Sequence, residues 1–192
     1  MMHYKKIIII IIISVVLFVA WLIGFLDVNS RFPQVKCEEY HLDEWVDYSN
    51  RYWGYDNLQL SPVKITIYSA KDFESGYPEE GEEYKDTSYK IVVMKVKIKN
   101  NSSQEISVGK VFSFFTAGAE PIGWNNQGRI IDSKNTNILP GGNQEDVELY
   151  VVLSESVVSS RNYDRFLKNK IFLSVKSYPL RQILVFDEID VK

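Results

Sequence analysis

The chain has 192 residues, with 22 Lys and Arg against 25 Asp and Glu, a single Cys and a formal net charge of −3. One cysteine excludes an intrachain disulfide, and the lack of any basic run that could neutralise phosphates argues against a nucleic-acid binder. The length allows one domain with a real core once an apolar leading segment is set aside.

Residues 7–26, opening at Ile7 and closing at Leu26, carry no charge and follow Lys5 and Lys6. A hydrocarbon core of about 30 Å is crossed by about 20 apolar residues at roughly 1.5 Å per residue, and in lipid a single segment satisfies its backbone only as a helix. The run predicts a membrane-spanning signal anchor in contact with lipid. Lys5 and Lys6 on one side and Asp27 on the other predict a cytoplasmic tip at 1–6 and an exported remainder. Trp21 is placed as an interfacial anchor would be. Cleavage after the small residues around Val28, Asn29 and Ser30 is the rival reading, and signal-peptide apolar cores of roughly 7 to 15 residues are shorter than this one. A lipoprotein would need small residues before Cys37, where Gln34, Val35 and Lys36 stand. Residues 27–34 read as a linker and 35–192 as an extracellular domain.

Beyond residue 6 there are 20 basic and 25 acidic side chains, so the exported part is mildly acidic, near −5. Residues 63–69 alternate Val63, Ile65 and Ile67 with Lys64, Thr66 and Tyr68, predicting a strand. Residues 74–86 hold Glu74, Glu79, Glu80, Glu82, Glu83 and Asp86 among Gly76, Pro78 and Gly81 and read as a long solvated connection. In 89–100, Val92, Met94, Val96 and Ile98 alternate with Val93, Lys95, Lys97 and Lys99, the signature of a half-buried antiparallel strand that pairs with the previous one.

Residues 111–116 are apolar and aromatic or β-branched. Ala117, Gly118 and Ala119 interrupt them and residues 121–124 resume, so a hairpin is expected. Pro140, Gly141 and Gly142 within 138–143 make a strong turn. Val147, Leu149, Val151 and Leu153 then mark another strand, as do Ile171, Leu173 and Val175, and 182–186 supply the last. Residues 163–168 look briefly helical. Short strands separated by Gly, Pro and Asn predict an all-β, immunoglobulin-like antiparallel β-sandwich behind a single N-terminal transmembrane helix.

The stretch YKIVVMKVKIKNNSS at 89–103 resembles the signature strand, ending in an asparagine turn, of the telokin-like, immunoglobulin-fold domains of unknown function on Gram-positive membrane-anchored envelope proteins. WVDY at 45–48, VKITIYSA at 63–70 and LPGG at 139–142 are similar to that family's opening pair and late turn. The resemblance implies a sandwich on a membrane anchor at the cell envelope. It brings no catalytic residue with it.

Three features carry candidate chemistry. Cys37 and His41 would sit about 13 Å apart on one face of a strand, too far for a nucleophile and base. The carboxylates of 74–86 match no EF-hand spacing, and 132–137 begins like such a loop without its glycine and closing glutamate. An aromatic segment holds Tyr40, Trp45, Tyr48, Tyr52, Trp53 and Tyr55, of which Trp45, Tyr52, Trp53 and Tyr55 are the candidate glycan or partner contacts, against the simpler reading of core packing or membrane-interface anchoring. Asn101, Ser102 and Ser103 form an N-glycosylation pattern that matters only in a eukaryotic secretory route. No cofactor, no metal and no enzyme activity are expected. The expected role is interaction with a protein partner, for example by strand addition at a sheet edge, with a cell-wall glycan or calcium-responsive module as the alternative.

Overall fold

A computed structural model describes residues 2–31, 36–120, 124–131, 137–154, 163, 166–177 and 180–192. Packing divides the chain into Met1–Val35 and Lys36–Lys192. The first unit is one helix, α1 (Met2–Arg31). Within it Ile11–Val28 is long and apolar enough to cross a membrane and none of it is buried. Phe18, Trp21 and Phe25 line one stripe, with Trp21 and Phe25 stacked at 5.5 Å. The helix runs past Leu26, so 27–31 are helical where a linker was expected, and 32–34 lie outside the described residues.

The second unit contains, in chain order, β1 (Cys37–Tyr40), β2 (Val46–Asn50), β3 (Tyr55–Ser69), α2 (Ala70–Gly76), α3 (Pro78–Gly81) and β4 (Lys90–Asn100). There follow β5 (Ile106–Ser107), α4 (Val108–Phe112), β6 (Thr116–Glu120), β7 (Trp124–Gln127), β8 (Arg129–Ile130), β9 (Asn137–Ile138) and β10 (Asn143–Leu153). The last strands are β11 (Lys170–Lys176), β12 (Arg181–Val185) and β13 (Ile189–Val191). One sheet has the order β1-β12-β11-β6-β7 and the other β13-β3-β4-β10-β8, with β2 on β3; β5 and β9 form a small ribbon. Val92, Met94, Val147 and Leu149 of one sheet share a core with Ala117, Ile171, Leu173 and Leu184 of the other, so the domain is a β-sandwich.

The alternation read in 89–100 and 147–153 is borne out in β4 and β10, whose antiparallel register sets Met94 opposite Leu149 and Val92 opposite Val151. Strand β3 also pairs with β4 but begins earlier than expected, at Tyr55. Leu58 and Leu60 face the core at even positions and Ile65 and Ile67 at odd ones, because a bulge between Pro62 and Lys64 adds one residue and inverts the parity. Two edge pairings are parallel, β1 with β12 and β13 with β3. The sandwich is therefore mixed, where a wholly antiparallel one was expected.

Two expectations are corrected. Residues 74–86 are not simply a solvated connection: α2 and the turn after α3 pack on the outer face of the sheet that contains β3, β4 and β10. There Phe73 and Tyr84 bury against Ile91, Val93 and Tyr150. Ser69 starts α2 by accepting a hydrogen bond from the Asp72 amide at 3.1 Å, and Pro78 starts α3 where no amide donor is needed. Gly81 is required here, since a Cβ would lie 2.3 Å from the Glu74 Cα. Residues 111–116 do not form a strand either. Val108, Val111 and Phe112 have helical spacing and bury one face of α4, whereas Ala117, Gly118 and Ala119, expected to interrupt, lie inside β6. The hairpin exists between β6 and β7, and its connection at 121–123 lies outside the described residues. So do 132–136 and part of the short helix expected at 163–168, of which residues 163, 166 and 167 are helical. Gly141 and Gly142 take positive φ of 86° and 84° in the expected turn.

If α2 covers the sheet through its aromatic face, Phe73→Ala should destabilise the full chain in detergent by about 3 kcal/mol, while exposed Lys71→Ala stays within about 0.5 kcal/mol. Chemical denaturation followed by near-ultraviolet circular dichroism measures both; equal midpoints would show that the aromatic cover contributes nothing.

Candidate functional site

The aromatic segment divides as the backbone turns. Alternation along β2 and β3 sends Tyr48 and Tyr55 inward, and both are buried. The Tyr48 hydroxyl donates to the Val111 carbonyl at 3.4 Å and its ring meets Phe115 edge-on at 5.1 Å. Burial pushes its pKa up. The Tyr55 hydroxyl accepts from the Ser107 amide at 3.2 Å. Between them the Asn50 carboxamide oxygen accepts the amides of Tyr52 and Trp53 at 3.0 and 3.3 Å, an Asx-type turn that throws both rings outward. Tyr52 is 76% exposed. It packs edge-on against Trp53 at 4.7 Å and Phe114 at 6.0 Å, with Lys110 5.1 Å above the Trp53 ring.

Of the four expected contact residues, Tyr52 and Trp53 are displayed together, whereas Tyr55 belongs to the core. Trp45 is half-buried beside β1, where it lines a shallow cleft of about 570 Å³ with Glu38, Glu39, Tyr40 and Glu44. Sequence reasoning missed Phe114, which is exposed and completes the cluster. Its spacing within Phe112, Phe114 and Phe115 could have flagged it, because a helix that buries Phe112 and a turn that buries Phe115 leave the residue between them outside.

A second cleft, of about 460 Å³, lies where α3 faces α4 and β8. Glu79, Glu80 and Glu83 form its rim and Phe112, Ile130 and Tyr150 its floor. Arg129 crosses one end, donating to the Tyr84 hydroxyl at 2.9 Å and to Glu83 at 3.4 Å. Burial, and then the neighbouring Tyr150, push Tyr84 well above the usual phenol range, so it stays a neutral hydroxyl. Nearby, Tyr77 donates to Glu148 at 2.9 Å and is likewise held protonated, by burial first and the carboxylate second. A carboxylate rim over an apolar floor can receive a cationic side chain with an apolar stem. Among the described residues no three His, Cys, Asp or Glu side chains converge as metal ligands would.

Cys37 and His41 form no pair. His41 turns its Nδ1 toward Asp187, 3.1 Å away on the chain leading into β13. Cys37 is exposed at the start of β1, and partial burial of its thiol raises its pKa more than Arg181 lowers it. The thiolate is the nucleophile, so a raised pKa means less of it at neutral pH. Cys37 should therefore react with iodoacetamide more slowly than a free thiol at pH 7, the deficit closing as pH rises above the ordinary thiol range. Alkylation rates across pH 6 to about 10 measure this, and a rate above that of free cysteine at pH 7 would contradict it.

No protein-family model and no curated protein matches this sequence. Among solved structures the chain is similar to one described as an uncharacterized beta-sandwich protein from Clostridium difficile 630. The TM-score is 0.48 at 11% identity, covering 80% of this chain and 97% of that one.

Proposed function

We propose that this chain is a single-pass protein of a Gram-positive cell envelope, with a cytoplasmic N-terminus and an extracellular, immunoglobulin-like sandwich that binds a partner protein and performs no chemistry of its own. The envelope address is supported by the exposed apolar length of α1 and by Lys5 and Lys6 at its start. The immunoglobulin-like reading is supported by the β3-β4-β10 ladder and by the Asn100 turn at the end of β4, the stretch that resembles telokin-like domains.

The observation that carries the binding role is the cleft between α3, α4 and β8. Among the described residues Glu79, Glu80 and Glu83 border it, and Arg129 at one end is engaged by Tyr84 and Glu83. Its match in charge and shape is a basic, partly apolar protein segment. Strand addition is a weaker route. The edge strands β1, β2, β7, β8 and β13 have only two to five residues each, and β1 carries the charged Glu38 and Glu39, engaged by Gln182 and Lys170, a pattern that blunts edge pairing. The glycan reading is also weaker, since Tyr55 is buried and Lys110 lies over the Trp53 ring.

A photo-crosslinking residue at Ser113, which lines the cleft, tests the binding role in intact cells. One discrete protein adduct should form, and its yield should fall about tenfold when Glu79→Lys and Glu83→Lys reverse the rim charge. An adduct indifferent to that reversal would overturn the assignment.

A further inference from the structure

Leu42, Tyr52, Trp53, Phe114, Leu139 and Val191 are the large apolar side chains exposed on the sandwich among the described residues. Four of the six, Tyr52, Trp53, Phe114 and Leu139, sit in three loops at one end: the β2–β3 turn, the segment after α4, and the β9–β10 turn. Tyr52 touches Phe114. Gln104 donates to the Gly54 carbonyl at 2.7 Å, and the Gly142 amide donates to the Asn100 carbonyl at 2.7 Å, so both turns close around the last residues of β4. Domain surfaces seldom gather their exposed apolar groups this way without something covering them.

Strand register shows where the chain joins this end. Thr116, just after Phe114, pairs with Ser174, Ser174 with Ile183, and Arg181 on that same strand pairs with Cys37. The first residue of β1 is therefore at the end that carries the aromatic loops. Five residues, 32–36, separate it from Arg31, the last residue of α1. Fully extended at roughly 3.3–3.6 Å each, the covalent chain spans about 20 Å at most.

We propose that the end of the sandwich bearing Tyr52, Trp53, Phe114 and Leu139 rests in the interfacial layer of the bilayer that holds α1. This inference rests on the reading of α1 as a membrane span. The layer between hydrocarbon and water is about 6 Å deep on each side, and Trp and Tyr concentrate there because each has an apolar body and a polar tip. Arg51 and Lys110 flank the patch and can keep their charged ends among headgroups while their stems lie on apolar surface. Asp56 and Glu105 are exposed nearby, so apolar burial, not net charge, supplies the attraction.

The test uses the full chain in phosphatidylcholine–phosphatidylglycerol vesicles, with Cys37→Ser and an environment-sensitive fluorophore on either Tyr52→Cys or Asp86→Cys. Asp86 precedes β4, whose 11 residues put it about 30 Å from the Asn100 end. A lipid-borne quencher should dim the probe at 52 several-fold more than the probe at 86. Replacing Phe114 and Leu139 by Asp should abolish that difference. Equal, weak quenching in protein that floats with the vesicles overturns the interfacial contact, leaves the membrane anchor standing and frees the patch for a protein partner. Protein that does not float overturns the anchor and the contact together.

Discussion

The loop end of the sandwich is organised by one buried side chain, Asn100. It closes β4 with no solvent exposure, and burying a carboxamide is tolerable only if its donors and acceptor are used. Its amide nitrogen donates to the carbonyls of Gln104 and Ile138 at 2.8 and 2.9 Å. Its oxygen accepts from the Ser102 amide and hydroxyl at 3.0 and 2.6 Å. That set joins the strand end to the loop after it and to β9, while the Asn100 backbone carbonyl receives Gly142. The β2–β3 turn is then tied on through Gln104 and Gly54. Removing the side chain would leave several buried groups without partners at once, a cost of about 1–3 kcal/mol for each.

The part of the fold legible in sequence is the part where lysines mark the outer face. Lys95, Lys97 and Lys99, alternating with Met94, Val96 and Ile98, reveal the inward face of β4, and Asp146 and Glu148 do the same for β10. The first half of β3 was hidden because Asn57, Gln59, Ser61 and Pro62 dilute the pattern and the bulge then inverts it. In 70–86 the glutamates and glycines dominate the composition. The structural signal there is the four-residue spacing of Phe73 and Tyr77, one turn apart on a helix. Residues 111–116 misled for the opposite reason, because β-forming residue types occupy helical spacing over a core supplied by other strands.

The candidate sites show the same division. Tyr52 and Trp53 were visible as aromatics, and their display depends on Asn50, which lies close in sequence. Phe114 joins them only through tertiary contact, and the cleft needs Arg129 to meet Tyr84 and Glu83 across a long stretch of chain. No local pattern encodes such a meeting. Together these features give the proposed module two working surfaces on one frame, an apolar end beside the tether and an acidic cleft formed by α3, α4 and β8.

Everything functional in this account depends on lipid, not protein, surrounding α1. Asp86→Cys in a Cys37→Ser chain places one exposed thiol at the end of the sandwich away from the tether. A membrane-impermeant maleimide applied to intact cells should label that thiol as fully as it does after lysis. Labelling that appears only once the cells are broken would put the sandwich inside the cell and contradict the envelope assignment.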